Sequence, residues 1–450
     1  MRLRHFVPFI SIAAASALMS GSAASLELPF EQTKLSNGLT VIVHEDHLLP
    51  EVATNLLYRV GSKDEKTGRT GFAHLFEHLM FMGTKRAPNK MFDAWMEAAG
   101  GQNNASTSAD VTDYFESGPS TLLPLFLWLE ADRLQTLGGE IDRPKLDLQR
   151  DVVRNERRQM TENRPYGKVE LRLPELLYPD PHPYHHPVIG SHADLEAASV
   201  EDVRSFFDEH YTPDNAALVV AGDVRAADVM QLAQRYFGVI PARQRSAPPR
   251  RVERASVAIP TLDKVVRETL EDSVEMTKVI MAFHSPARFE PGDAELDLLA
   301  SILSTGKTSR LYKSLVYEKS LAQSVTASQD SSALSSVFTI EILVRPGVSV
   351  DAVEKATDAV LTQVLAKVPT EEEVRRAKNQ VQFQFVDRLQ SVAARARLLN
   401  IYWSDRGDPN YVNKDLARYD QATAEGVLSQ AKKTLTLGSR VIMRVVPRAS

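Results

Sequence analysis

The stretch Thr70-Gly71-Phe72-Ala73-His74-Leu75-Phe76-Glu77-His78-Leu79-Met80-Phe81-Met82-Gly83 has apolar side chains on almost every side. That pattern predicts a buried helix over about 70–82, stopped by Gly83. Three polar residues nevertheless sit inside it. Buried imidazoles and carboxylates are costly unless they are paired or bound to a metal. His74 and His78 are one turn apart on one face, so both rings can reach a single ion. Glu77 leaves the helix on the flank of that pair, where it can activate a water on the ion without ligating it. The competing reading is a core helix whose three polar groups pair with one another.

The composition narrows the chemistry. The chain has 450 residues with no Cys, so disulfides, thiolate metal sites and a cysteine nucleophile are excluded. Lys and Arg number 53 against 58 Asp and Glu, a formal charge of −5, which offers nothing to a nucleic-acid backbone. With 43% hydrophobic and 25% charged residues the chain is neither disordered, collagenous nor a multi-span membrane protein. Arg2 and Arg4, the apolar run Phe6–Met19 and Ser22-Ala23-Ala24 read as a secretory signal over 1–24, cleaved near Ala24. The expected location is the periplasm or another exported compartment.

A metal held by two histidines of one helix needs a third protein ligand and an open position for water. The predicted helix 143–161 offers Glu156. Gln149, Val152, Val153, Glu156 and Met160 fall on one stripe, which is expected to face inward. A carboxylate there needs a cation, either the metal or one of the neighbouring arginines. His182, His185 and His186 are flanked by prolines with no carboxylate at ligand spacing, and read as a solvent-side loop.

Outward from these segments the chain repeats an order of elements. Asn37-Gly38 marks a hairpin, with strands expected at 39–43, 52–60 and 216–221 and helices at 89–99 and 122–136. Gly100-Gly101 turns into Gln102-Asn103-Asn104-Ala105-Ser106-Thr107, an expected edge strand able to accept an extended peptide. The proline- and arginine-rich stretch 241–258 reads as a linker. Strand, helices, strand and long helix then recur, with strands at 277–284, 337–344 and 440–446 and long helices at 350–366 and 370–396. The expected fold class is α+β, with a first domain at 25–240 and a second of similar topology at 259–450. Each is a mostly antiparallel sheet with helices packed on one face.

His74-Leu75-Phe76-Glu77-His78 is the inverted His-x-x-Glu-His zinc motif, and Glu156 follows it after 77 residues in Val-Val-Arg-Asn-Glu-Arg-Arg. On these residues the chain resembles the pitrilysin, insulysin and mitochondrial processing peptidase family of inverted zincins, in its half-length bacterial branch. The resemblance implies a zinc metalloendopeptidase in which His74, His78 and Glu156 hold Zn²⁺ and Glu77 is the catalytic base. It also implies that Asn104 and Ala105 bind substrate backbone, and that the substrates are oligopeptides or unfolded segments. Gln149 stands where many relatives carry a helper glutamate.

In the second half, relatives carry an Arg and a Tyr that reach the substrate. The register fixed by Ser309-Arg310-Leu311 puts Val316 and Gln323 at those positions, while Arg310 and Tyr317 lie out of register. The expected assembly is therefore a heterodimer with a paralogous subunit supplying the Arg/Tyr clamp, with a homodimer second. The alternatives are a non-catalytic scaffold and a peptide-binding subunit of the same fold.

Overall fold

The computed structural model describes residues 26–242 and 252–448. The expected leader at 1–24 and residues 243–251 of the expected linker lie outside the described residues.

The strands are β1 Glu31–Lys34, β2 Thr40–Glu45, β3 Glu51–Tyr58, β4 Gln102–Thr107, β5 Thr112–Pro119 and β6 Ala216–Gly222, followed by β7 Val266–Asp272, β8 Lys278–Ser285, β9 Ala322–Asp330, β10 Ser336–Val344 and β11 Val441–Pro447. They form two sheets, ordered β1-β2-β6-β3-β5-β4 and β7-β11-β8-β10-β9. With β1 set aside, the chain lays both sheets down in the same order. The first strand starts one side, and the last inserts beside it in parallel as β6 on β2 and β11 on β7. The second strand pairs next, the third takes the far edge and the fourth fills the gap. All other pairings are antiparallel. The fold class is the expected α+β architecture with two similar sheets.

Each sheet packs its own helices on one face, and the period-two alternation of its strands shows why a second layer is also present. Val41, Val43, Leu56, Leu218 and Val220 face the core shared with helices Phe72–Leu79 and Leu123–Glu140. Ile42, Ala53, Leu57, Val219 and Ala221 point the other way and are equally buried. Strands that are apolar on both faces must be covered on both. The cover comes from the other half of the chain. Leu399, Tyr402 and Trp403 of the Val392–Arg406 helix pack on the back of the first sheet. Leu177 and Tyr178, at the end of the Lys168–Leu177 helix, pack on Ile280, Ala282, Met443 and Val445 of the second. Each such buried side chain contributes about 2 kcal/mol of transfer free energy. Asn400, fully buried, pins the exchanged helix by donating to Asn55 O at 2.9 Å, Asn55 Oδ1 at 2.7 Å and Ala217 O at 3.0 Å.

Two expected long helices are interrupted. The segment expected to run over 370–396 is two helices, Glu371–Arg388 and Val392–Arg406, because Ser391 caps the second by accepting from Ala394 N. The helix expected over 143–161 is α-helical over Arg143–Glu156 and continues as a π-helical turn, Arg157–Glu162.

Candidate metal centre

The Phe72–Leu79 helix buries Phe72, Ala73, Leu75, Phe76 and Leu79 against the first sheet and its helices. This leaves His74, Glu77 and His78 on the flank facing the Arg143–Glu156 helix and β4. His74 and His78 meet edge to face, with ring centroids 4.8 Å apart. Glu156, the last residue of the facing helix, brings Oε2 to 3.1 Å from His78 Nε2 and 3.8 Å from His74 Nε2. Among the described residues this is the one cluster of three His, Asp or Glu side chains whose ligand atoms lie within 4.8 Å of one another.

The donor set fits a zinc ion. Ligand atoms at about 2.1 Å in tetrahedral array stand about 3.4 Å apart, and the two measured separations bracket that value. Glu156 Oε2 is buried with only the two imidazoles as polar neighbours, a costly arrangement if nothing else is held there. Burial and the neighbouring His78 hold the His74 pKa down to about 4, so its ring is neutral and a lone pair is free near pH 7. In His78 burial pushes the pKa down, but Glu156 more than offsets it and the net shift is upward. The adjacent His78 in turn lowers the pKa of Glu156, against the effect of its burial.

Glu77 does not join the three. Its Oε2 accepts a hydrogen bond from the Thr107 hydroxyl at the end of β4. Burial raises its pKa, partly opposed by Thr107, which makes it a stronger base than an exposed carboxylate. Thr107 was not singled out from sequence. Its signal was alternation along Gln102–Thr107, which puts it on the same side of the strand as Ala105.

The strand β4 is the free edge of the first sheet, with Asn104 exposed and Ala105 half-buried. Ala105 N–H donates to its neighbour's Asn104 Oδ1 at 2.8 Å. An apolar-walled cleft of about 470 Å³ runs from His74, Thr107 and Glu156 past Leu171 and Ile189 to Val337 of the second half.

Two sequence expectations change. Val152 and Met160 are 40% and 55% exposed, so the inward stripe of the Arg143–Glu156 helix is Leu146, Arg150 and Val153, with Gln149 and Glu156 at its margin. The turn to π-helical geometry after Glu156 rotates Met160 off that stripe. The loop with His182, His185 and His186 is half-buried rather than solvent-side. His182 stacks on Tyr178 at 4.6 Å, His185 Nδ1 bonds Tyr178 O at 2.7 Å, and His186 lines the cleft.

In the second half Arg310 makes a two-pronged pair with Glu373, both contacts 2.8 Å, and Tyr317 is 78% exposed. Val316 is buried in the core, and Gln323 lies exposed on β9.

Two family models match the chain. Residues 40–180 match "Insulinase (Peptidase family M16)" and residues 197–381 match "Peptidase M16 inactive domain". The zinc protease PqqE of Helicobacter pylori is 30% identical over 406 residues, covering 89% of this chain and 90% of that one. A crystal structure of a protease from Helicobacter pylori superposes with a TM-score of 0.86 at 26% identity, over 93% of this chain and 99% of that one. The periplasmic protease PqqL of Escherichia coli shares the fold at a TM-score of 0.75 and 18% identity. That match takes in 94% of this chain but 48% of PqqL.

Proposed function

We propose that this chain, which belongs to the insulinase family of peptidases (family M16) and to its half-length branch, is an exported zinc metallopeptidase acting on oligopeptides or unfolded segments. The observation that carries the reading is the convergence of His74, His78 and Glu156 on one point, with Glu77 beside them and outside the ligand set. The names of its relatives as zinc proteases support the metal.

His74, His78 and Glu156 hold zinc in this reading. When bound, zinc supplies Lewis-acid polarisation of the scissile carbonyl and lowers the pKa of a water it holds. Glu77 takes the proton of the attacking water on its carboxylate and delivers it to the leaving amine. Extended substrate adds as a strand beside Asn104 and Ala105, where β4 has no neighbour. Its backbone displaces the Asn104 side chain from the Ala105 N–H. The cleft gives the remainder of the peptide a path toward the second half.

The placement of Arg310 and Tyr317 supports an incomplete second half. Arg310 is committed to Glu373, and neither Val316 nor Gln323 offers a cation or a phenol. We propose a heterodimer with a paralogous exported subunit that supplies the Arg and Tyr, with a homodimer as the second arrangement. The proposed boundaries are a signal at 1–24, a zinc-bearing domain at 25–240, a linker at 241–258 and a second domain at 259–450. No helix among the described residues is long and apolar enough to cross a membrane.

The test is zinc content and peptide hydrolysis of the purified chain, alone and with the paralogous subunit. The expected result is about one zinc per chain, slow cleavage alone and restored turnover with the partner. An oxyanion contact of the missing kind contributes about 3 kcal/mol, or more than a hundredfold in rate. Full activity from the pure chain, unchanged by the partner, would reject the heterodimer. A chain free of zinc and unable to cleave would leave a non-catalytic scaffold, and one that holds zinc and binds peptides without cleaving them would leave a peptide-binding subunit.

A further inference from the structure

The two helices that carry the proposed ligands are tied together at a point away from the ligands themselves. The His74 helix starts at Gly71, in left-handed conformation at φ +85°, and the Glu65 carboxylate accepts from Gly71 N–H at 2.9 Å and Ala73 N–H at 2.7 Å. Gly71 lies against Gly190, itself at φ +70°. A methyl group at Gly190 would stand 2.4 Å from Gly71 Cα and from Thr70 O, so only hydrogen allows this approach. Thr70 adds three bonds to the same segment, one of them from its hydroxyl to Asp194 Oδ2. Its N–H donates to Asp194 Oδ2 at 3.0 Å, and its hydroxyl oxygen accepts from Ser191 N at 3.0 Å. On the other side, the Gly190 carbonyl accepts from the Arg157 guanidinium. Arg157 directly follows Glu156. Its Nε is steadied by Glu162 at 2.9 Å, which His192 Nε2 also contacts at 2.9 Å.

We infer that Arg157 is a positioning residue that, through Gly190 and Gly71, sets the spacing of Glu156 from His74 and His78 and so the strength of zinc binding. The inference rests on the ligand reading above. A metal pocket assembled from two helices must be held to a fraction of an ångström. The ligand atoms themselves meet at one point only, where Glu156 Oε2 stands 3.1 Å from His78 Nε2 and 3.8 Å from His74 Nε2, so the two helices need a hold elsewhere. The Arg157 side chain is largely buried, at 14% exposure, and joins the end of one ligand helix to the loop that Gly71 and Thr70 touch at the start of the other.

The test is zinc affinity of Arg157→Gln and Arg157→Lys by competition with a chromophoric chelator. The absorption of the Co²⁺-substituted proteins and thermal unfolding of the zinc-free forms accompany it. Arg143→Gln, whose side chain pairs with Asp147 on the exposed side of the same helix, is the control. The expected result is a loss of about tenfold or more in zinc affinity for Arg157→Gln and an altered Co²⁺ spectrum. Arg157→Lys, which keeps a donor, regains part of the affinity, and the control binds as the parent does.

An Arg157→Gln protein that melts lower without zinc but binds the ion as tightly as the parent would overturn the inference and leave a structural role. Should that variant not fold, Glu162→Gln frees the second tether of Arg157 and must still weaken zinc; unchanged affinity there also overturns it. A parent protein that binds no zinc removes the ligand reading together with this one, whereas equal affinities in parent and variant remove this one alone.

Discussion

His78, Glu156 and Glu77 are all partly buried polar groups, yet their substitutions should behave in two different ways. His78 and Glu156 meet at 3.1 Å, as ligands of one ion would. His78→Ala or Glu156→Gln should therefore remove most of the zinc, read as metal per chain after dialysis. Glu77 is held by Thr107 and stands beside that meeting point, outside the ligand set. Glu77→Gln should keep zinc while turnover falls by roughly 10² or more, because a base is lost and a ligand is not. Glu156→Gln with full zinc would refute its assignment as a ligand.

Arg310 gives a separate test. Its hydrogen bonds pull the Glu373 pKa down to about 2 from an ordinary 4.5, against a partial burial cost. A depressed carboxylate pKa contributes stability above the unfolded value that is lost as pH falls through the folded one. Arg310→Ala should thus lower stability by about 1 kcal/mol at pH 7, allowing for solvent screening. The difference should shrink as pH falls from about 4.5 toward 2, with kcat unchanged throughout. A selective fall in kcat would instead make Arg310 part of the substrate clamp.

Among the elements, β4 has a free edge, and the Phe72–Leu79 helix packs beside it. The proposed strand addition would bring a peptide bond next to Glu77, since Thr107 ends the strand at that carboxylate. Ala105→Pro removes a backbone donor and should raise KM sharply without displacing zinc. Normal cleavage of extended peptides by that variant would rule out pairing at Ala105. The Arg143–Glu156 helix shows the limit of periodicity as a guide. Its hydrophobic positions were countable, but Val152 and Met160 face outward. A π-helical turn changes the phase after Glu156, and no propensity marks where it begins.

The exchange of helices makes the two halves one folding unit. Without Leu399, Tyr402 and Trp403, the Ile42, Leu57 and Val219 face of the first sheet would be bare. Residues 26–240 expressed alone should not give a cooperatively folded domain, whereas the full chain should unfold in a single transition. Heteronuclear NMR of the fragment and calorimetry of the whole chain check this. A well-dispersed, cooperatively melting fragment would show that the exchanged helix contributes little. The apolar character of Ala216–Gly222 on both faces was visible along the chain, but the identity of its second cover was not, since Leu399 lies far beyond it.

Short-range spacing sufficed for the His74–His78 pair, the Asn37-Gly38 hairpin, the edge position of Gln102–Thr107 and the recurrence of one order of strands and helices along the two halves. Each follows from a period or turn preference that acts over a few residues. Glu156 was nameable only as an inward carboxylate in want of a cation, and the resemblance supplied its partner. Its approach to His78 depends on how two helices dock. That docking depends on Gly71 meeting Gly190, and no local rule links residues so far apart. The same holds for Asn400 bonding Asn55 and Ala217 across the halves. Side-chain direction within an element is set by backbone geometry, whereas distance between elements is set by the packing of the whole core.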